Sequence, residues 1–131
     1  MNHSETTIKS LDGTQLYFSK DTAEDAKAAV VIVHGLCEHA GRYDELTKQL
    51  NKRGCNVYRF DHRGHARSEG KRTFYSDFHQ IIEDVNVVVE RALQESSDLP
   101  VFVIGHSMGG FATSSFGTKY PGKVKGIVLS G

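Results

Sequence analysis

The run Gly105-His106-Ser107-Met108-Gly109 sets a serine between glycines at G-x-S-x-G spacing, between an apolar stretch at residues 101–104 and a segment rich in small residues. A serine raised on so sharp a strand-to-helix turn exposes its hydroxyl, and small residues two positions to either side let the two backbones pass. Ser107 is therefore a candidate nucleophile for acyl transfer. The helix that starts beside it would aim free amides and its positive dipole end at the reacting carbonyl. The oxyanion formed in such a reaction needs two preorganised donors, and the Met108 amide is the natural first. The loop His34-Gly35-Leu36-Cys37-Glu38-His39-Ala40-Gly41-Arg42-Tyr43 follows another apolar run and stands where the second should come from. Leu36 is the expected second donor.

His34, at a strand end, is expected to hydrogen-bond this loop rather than to move protons. A third polar constellation is Asp61-His62-Arg63-Gly64-His65-Ala66-Arg67-Ser68-Glu69-Gly70. His62 and His65 have H-x-x-H spacing, but no third ligand stands at a recognisable distance, and no metal site is expected. Asp61 and Arg63 are expected to brace the loop through charge-assisted bonds. Cys37 and Cys55 lack a CxxC spacing and read as free thiols. No cofactor is implied.

These groups need a scaffold. Residues 6–10 and 15–19 read as short strands on either side of Leu11-Asp12-Gly13-Thr14, whose Asp-Gly pair suits a tight hairpin. Residues 28–33 are continuously apolar and largely β-branched, as in a strand covered on both faces. Tyr43, Leu46 and Leu50 fall at helical spacing and predict a helix over 42–53, stopped by Gly54. Residues 56–60 read as a strand feeding the loop at 61–72. Asp77 as N-cap and Gln80 as capping-box partner open the longest helix, with Phe78, Ile81, Ile82, Val85, Val88, Val89, Ala92 and Leu93 on one stripe. Residues 101–104 and 124–129 read as further buried strands flanking a helix over 107–120. Two antiparallel strands followed by strand-helix alternation predict an α/β fold: a mostly parallel sheet, an antiparallel N-terminal hairpin and helices on both faces.

The chain has 131 residues, enough for one modest domain. Sixteen Lys plus Arg balance 16 Asp plus Glu with no block of like charge, so neither nucleic acid nor a charged membrane surface is an expected partner. The apolar runs fall far short of the roughly 18 residues that a transmembrane helix needs. The N-terminus has no cationic start with an apolar stretch behind it, so no secretory signal is visible and a soluble, cytoplasmic protein is the expectation.

In this order the three motifs resemble the monoacylglycerol lipase and lysophospholipase branch of the α/β-hydrolases, the group also described as serine aminopeptidase-like. The resemblance lies in His34-Gly35 through Arg42-Tyr43, in Phe60-Asp61 through Gly70 and in Gly105 through Gly110, and spans nearly all of the chain from Gly13 onward. It implies Ser107 as nucleophile, oxyanion-hole amides from Leu36 and Met108, and a small acyl ester or single-acyl lipid as substrate. It also implies that Glu38 and Arg42 lie near the pocket for the leaving-group alcohol. Two positions depart from the pattern. Ala66 stands where relatives commonly have Gly, and a negative φ is expected there, because Ala at positive φ costs on the order of 1 kcal/mol. Cys37 likewise replaces a frequent Gly and puts a thiol beside the oxyanion loop.

A serine hydroxyl needs a general base and a group to orient that base, and in this fold the chain order is Ser, then Asp or Glu, then His. Residues 108–131 contain no Asp, no Glu and no His. The expectation is a single, C-terminally truncated α/β-hydrolase domain over 1–131, without cap and last strands, that does not turn over alone. The alternatives are a non-catalytic binding or interaction module that self-associates through an exposed last strand, and a peptidase or thioesterase of the same fold. An epoxide hydrolase or dehalogenase is disfavoured, since those resemble this architecture but carry Asp at the elbow.

Overall fold

In the computed structural model, which describes residues 2–131, Gly13 at φ +88° turns the chain between β1 (Asn2–Lys9) and β2 (Gln15–Thr22). The Gly13 amide donates to Ser10 O at 3.0 Å and the Asp12 carboxylate accepts from Thr14 N at 3.1 Å, so the Asp-Gly hairpin forms where the sequence predicts it. Both strands outrun the apolar signal, because the polar residues 2–5 pair in register with residues 19–22.

The later elements are β3 (Ala28–Val33), α1 (Asp44–Lys52), β4 (Cys55–Phe60), α2 (Phe78–Glu95), β5 (Val101–His106), α3 (Met108–Lys119) and β6 (Gly126–Ser130). They build one six-stranded sheet in the order β1-β2-β4-β3-β5-β6, with β1–β2 and β2–β4 antiparallel and the other pairs parallel. Alternation along β3 explains the helices on both faces. Ala29, Val31 and Val33 join the large core with Ile81, Val85 and Val88 of α2 and Ala112 and Phe116 of α3, whereas Val30 and Ile32 pack toward Tyr43 and Leu50 on the α1 side.

Four local expectations shift. A 3-10 turn at Ala40–Tyr43 precedes α1, so the α-helix begins at Asp44 rather than at 42. Asp77 caps α2 by accepting from His79 N at 2.7 Å, but Gln80 closes its box on the Ser76 amide, at 3.1 Å, rather than on Asp77. The strands expected to be buried near the C-terminal end are covered on one face at most. Val101 and Val103 are buried under α3, Phe102 and Ile104 are only half-buried, and β6 is an edge strand with Ile127, Val128 and Leu129 39–54% exposed.

Ala66 is the fourth correction. It adopts φ +42°, and Cys37 φ +58°. Around Ala66 the chain is pinned on both sides: His65 N donates to His62 O, Ser68 N to His65 O, and Arg67 N to the Asp61 carboxylate. Three hydrogen bonds within the loop, of about 1 kcal/mol each, outweigh the left-handed penalty on one Cβ.

The longest helix carries an unexpected charge on its apolar face. Asp84 is 0% exposed and its carboxylate takes Arg63 Nε at 2.7 Å and NH2 at 2.8 Å, with the Ser10 hydroxyl as a further donor. Arg63 reaches on to Asp12 at 2.8 Å, which ties the hairpin turn to α2 through the loop after β4. Asp84→Ala is expected to cost ~3 kcal/mol or more in urea unfolding, since it strands a buried guanidinium. Asp12→Ala, at a side chain 44% exposed, should cost about 1 kcal/mol. Equal losses would show that burial of the Asp84 pair does not set the energetics.

Candidate active site

Ser107 is the N-cap of α3 and sits at φ +56°, ψ −120°, a sparsely populated region for a residue with a Cβ. The elbow is held by its neighbours: Ser107 N donates to Ser130 O of β6 at 2.8 Å and Phe111 N to Ser107 O at 3.0 Å. The flanking glycines are sterically required. A methyl group at Gly105 would lie 2.3 Å from Gly109 O, and one at Gly109 would lie 2.1 Å from Val33 O. The result is an exposed serine at the C-terminal edge of a parallel sheet, over the start of a helix.

The loop after β3 abuts this turn. A methyl at Gly35 would lie 3.3 Å from Ser107 Cβ and 3.3 Å from His106 O, so the loop backbone runs directly against the elbow. Neither the Leu36 amide nor the Met108 amide donates to a protein acceptor among the described residues. The Leu36 side chain is 53% exposed, and the Met108 side chain packs on the large core. Glu38 and Arg42 meet each other at 3.2 Å, but their surroundings differ: the Glu38 side chain is 12% exposed and that of Arg42 67%. Glu38 Oε1 accepts from Gly35 N at 2.7 Å and from the Tyr43 hydroxyl at 2.8 Å. Burial pushes the Glu38 carboxyl up, and the Gly35 amide, the Tyr43 hydroxyl and Arg42 outweigh it and hold it below its ordinary value. Burial, with Glu38 beside it, raises Tyr43 in turn.

His34, His62 and His65 are packing groups. His34 Nε2 accepts from His62 N at 2.9 Å, so its Nδ1 carries the proton and donates to Gly35 O at 2.7 Å. His62 Nε2 donates to His34 O at 2.7 Å, and His65 Nδ1 bonds Arg63 O at 3.0 Å. Burial lowers His34 to about 4 and, with His34 beside it, places His62 well below its ordinary value. Asp61 braces from below, taking Ala40 N at 2.7 Å and Arg67 N at 3.2 Å. Ser107 Oγ donates to no histidine or carboxylate among the described residues; His106, its neighbour, bonds Ser130 Oγ at 3.1 Å. Spacing alone did not reveal Gly35, or Tyr43 five residues on, as partners of Glu38.

The model of the family described as "Serine aminopeptidase, S33" matches residues 24–131. The chain belongs to this family. Among relatives of the S33 chain is a monoacylglycerol lipase of Mycolicibacterium smegmatis, 39% identical over 129 residues, covering 98% of this chain and 46% of the relative. The human monoglyceride lipase is 42% identical over 103 residues, covering 79% and 34%. A crystal structure of a Paleococcus ferrophilus monoacylglycerol lipase superposes with a TM-score of 0.74 at 35% identity, over 88% of this chain and 42% of that one. A thermostable carboxyl esterase from Bacillus coagulans shares the fold with a TM-score of 0.87 at 24% identity, over 98% and 44%. The S33 chain thus spans less than half the length of these relatives, and corresponds to the N-terminal portion of an α/β-hydrolase. Among the described residues no helix is long and apolar enough to cross a membrane.

The buried imidazoles make stability pH-dependent. A histidine near 6.5 when unfolded and about 4 when folded binds more protons in the unfolded chain between those values, so stability rises with pH there. That contribution is complete above about 6.5 and is lost as pH falls through the folded value; His62 acts in the same direction. The urea midpoint should therefore be lower at pH 5.5 than at pH 7.5. His3, raised by Glu5 and Asp21, works in the opposite direction, so the comparison is made on the His3→Gln variant, where equal midpoints would mean that these rings are not buried as neutral groups.

Proposed function

We infer that residues 1–131 supply the nucleophile and oxyanion half of a serine ester hydrolase that acts on a single-acyl lipid or a similar small ester through an acyl-enzyme. The observation that carries this reading is Ser107, exposed at φ +56° on a turn whose glycines lie in backbone contact with β3 and α3. Ser107 Oγ attacks the ester carbonyl, the carbonyl oxygen takes negative charge, and the amides of Met108 and Leu36 stabilise it. Collapse of the intermediate expels the alcohol and leaves the acyl group on Ser107, and water releases it. The names of the relatives, monoacylglycerol and monoglyceride lipase, support an acyl glycerol as the substrate class.

The proton on Ser107 Oγ must go to a base. Residues 108–131 hold no Asp, Glu or His, and His34, His62 and His65 are committed to backbone atoms. In this fold the acid and the histidine follow the serine in the chain, so this reading assigns the base and its orienting acid to polypeptide other than these 131 residues. Purified 131-residue protein should hydrolyse a p-nitrophenyl ester no faster than its Ser107→Ala variant. Turnover that depends on Ser107 would overturn the assignment of the base to other polypeptide.

A second reading is favoured by β6. Its edge is unpaired and Ile127, Val128 and Leu129 are exposed without a charged residue among them, a template for strand pairing. As a non-catalytic module the chain would pair through this edge with a second copy of itself. Size-exclusion chromatography should then give a discrete dimer that Val128→Lys returns to monomer; polydisperse aggregate or an unaltered monomer would count against the module.

A further inference from the structure

We propose that Glu38 is the positioning residue of the oxyanion loop, gripping the Gly35–Leu36 segment against Ser107, and not a contact for the leaving group. This rests on the reading of the Leu36 amide as an oxyanion donor.

Glu38 holds Gly35 at both ends. Its carboxylate Oε1 takes the Gly35 amide at 2.7 Å, and its own amide donates to Gly35 O at 3.3 Å. His34 Nδ1 donates to the same carbonyl at 2.7 Å. Two donors thus fix the carbonyl of the Gly35–Leu36 peptide, which is trans like every other described peptide bond. A planar trans peptide sends its N–H opposite to its C=O, so anchoring Gly35 O aims the Leu36 N–H away from His34 and leaves it unpartnered. Gly35 itself is wedged between Glu38 and the elbow: a methyl there would meet Glu38 Oε1 at 3.0 Å and Ser107 Cβ at 3.3 Å.

The carboxylate has little capacity left for an alcohol. Oε1 already has two donors, Gly35 N and Tyr43 OH, and Oε2 faces Arg42 Nε at 3.2 Å. Only Arg42, at 67% exposure, is free to swing toward a ligand. Tyr43 stands on the 3-10 turn that leads into α1, so the hydroxyl transmits the position of that element to the loop. The grip depends on where an oxygen sits rather than on its charge, so Gln should replace Glu and the shorter Asp should not.

The test reads the Gly35 amide of the 131-residue chain by NMR hydrogen exchange, with the amides of Val31 and Ile32 as the control for an intact sheet. Glu38→Ala and Glu38→Asp should speed Gly35 exchange by at least about tenfold and move its proton upfield, while Glu38→Gln stays within about threefold of the parent. Iodoacetamide labelling of the exposed Cys37 should accelerate in the same two variants. Unaltered Gly35 exchange in Glu38→Asp, or equal effects of Gln and Ala, would overturn the proposal. Ser107→Ala should leave Gly35 exchange at the parent rate, so failure of the nucleophile reading, seen in ester hydrolysis, is distinct from failure of this one.

Discussion

One steric constraint organises the site: α3 crosses β3 and β5 so closely that neither Gly105 nor Gly109 has room for a Cβ. Gly109 lies on the carbonyls of Val33, the last residue of β3, and His34 just after it, and Gly105 on the Gly109 carbonyl. That approach leaves a single residue, Ser107, to turn the chain from strand to helix, and the turn is tight enough to force a positive φ on it. An unfavourable conformation of a few kcal/mol at most is held by its surroundings, here the β6 carbonyl on Ser107 N and the first helical bond on Ser107 O. The same approach seats the loop after β3 beside the serine. Exposure of the hydroxyl and proximity of candidate oxyanion donors are two results of one backbone crossing.

The polar residues around this crossing fix loops that have little apolar surface of their own. Asp61 holds Ala40 and Arg67, Arg59 holds Ala40 O at 3.0 Å together with Asp21 and Asp44, and Arg63 holds Asp84 and Asp12. Each buried guanidinium is paired with two carboxylates, which offsets a desolvation cost that one partner alone would leave uncovered. The imidazoles that meet edge to face follow a different logic. His34 and His62, with ring centroids 4.3 Å apart, are kept neutral by burial, and each spends a ring nitrogen on the other's backbone. They join the end of β3 to the end of β4 and so set the spacing of the two loops that approach the serine.

How much was legible in the sequence depended on the range of the interaction responsible. The elbow, β3, the Asp-Gly hairpin and the Asp77 cap are governed by neighbours within a few residues, and each stands where its local pattern puts it. Asp84 shows the limit: the apolar stripe of α2 gave no sign of a buried carboxylate within it, and its partner is 21 residues away across a loop. Ala66 escaped for a different reason: hydrogen bonds within the loop itself, between residues 61 and 68, overrule the preference of a single alanine, and residue type does not announce them. Glu38 was visible as a polar residue of the loop, yet its role turns on the direction of its carboxylate, back onto Gly35, which periodicity does not encode. Strands 101–104 and 124–129 read as buried because their residues are apolar; residue type records what could be covered, not what is.

Glu38 also raises an electrostatic difficulty whose resolution is built into the loop. A carboxylate beside donors meant for an oxyanion would oppose the charge that develops there, the more so in a site of low dielectric. Here the negative charge is engaged before any substrate arrives: the Gly35 amide and the Tyr43 hydroxyl converge on one oxygen, and the Arg42 guanidinium faces the other. Arg42 also contributes a positive charge on the solvent side, so the field at the loop is that of a near-neutral cluster rather than of a free anion. The carboxylate can therefore supply the stiffness of a charge-assisted hydrogen bond without the repulsion of an unpaired charge. A neutral acceptor of the same shape would lose part of that stiffness and none of the geometry, which is why the shape of residue 38 matters more to the loop than its charge.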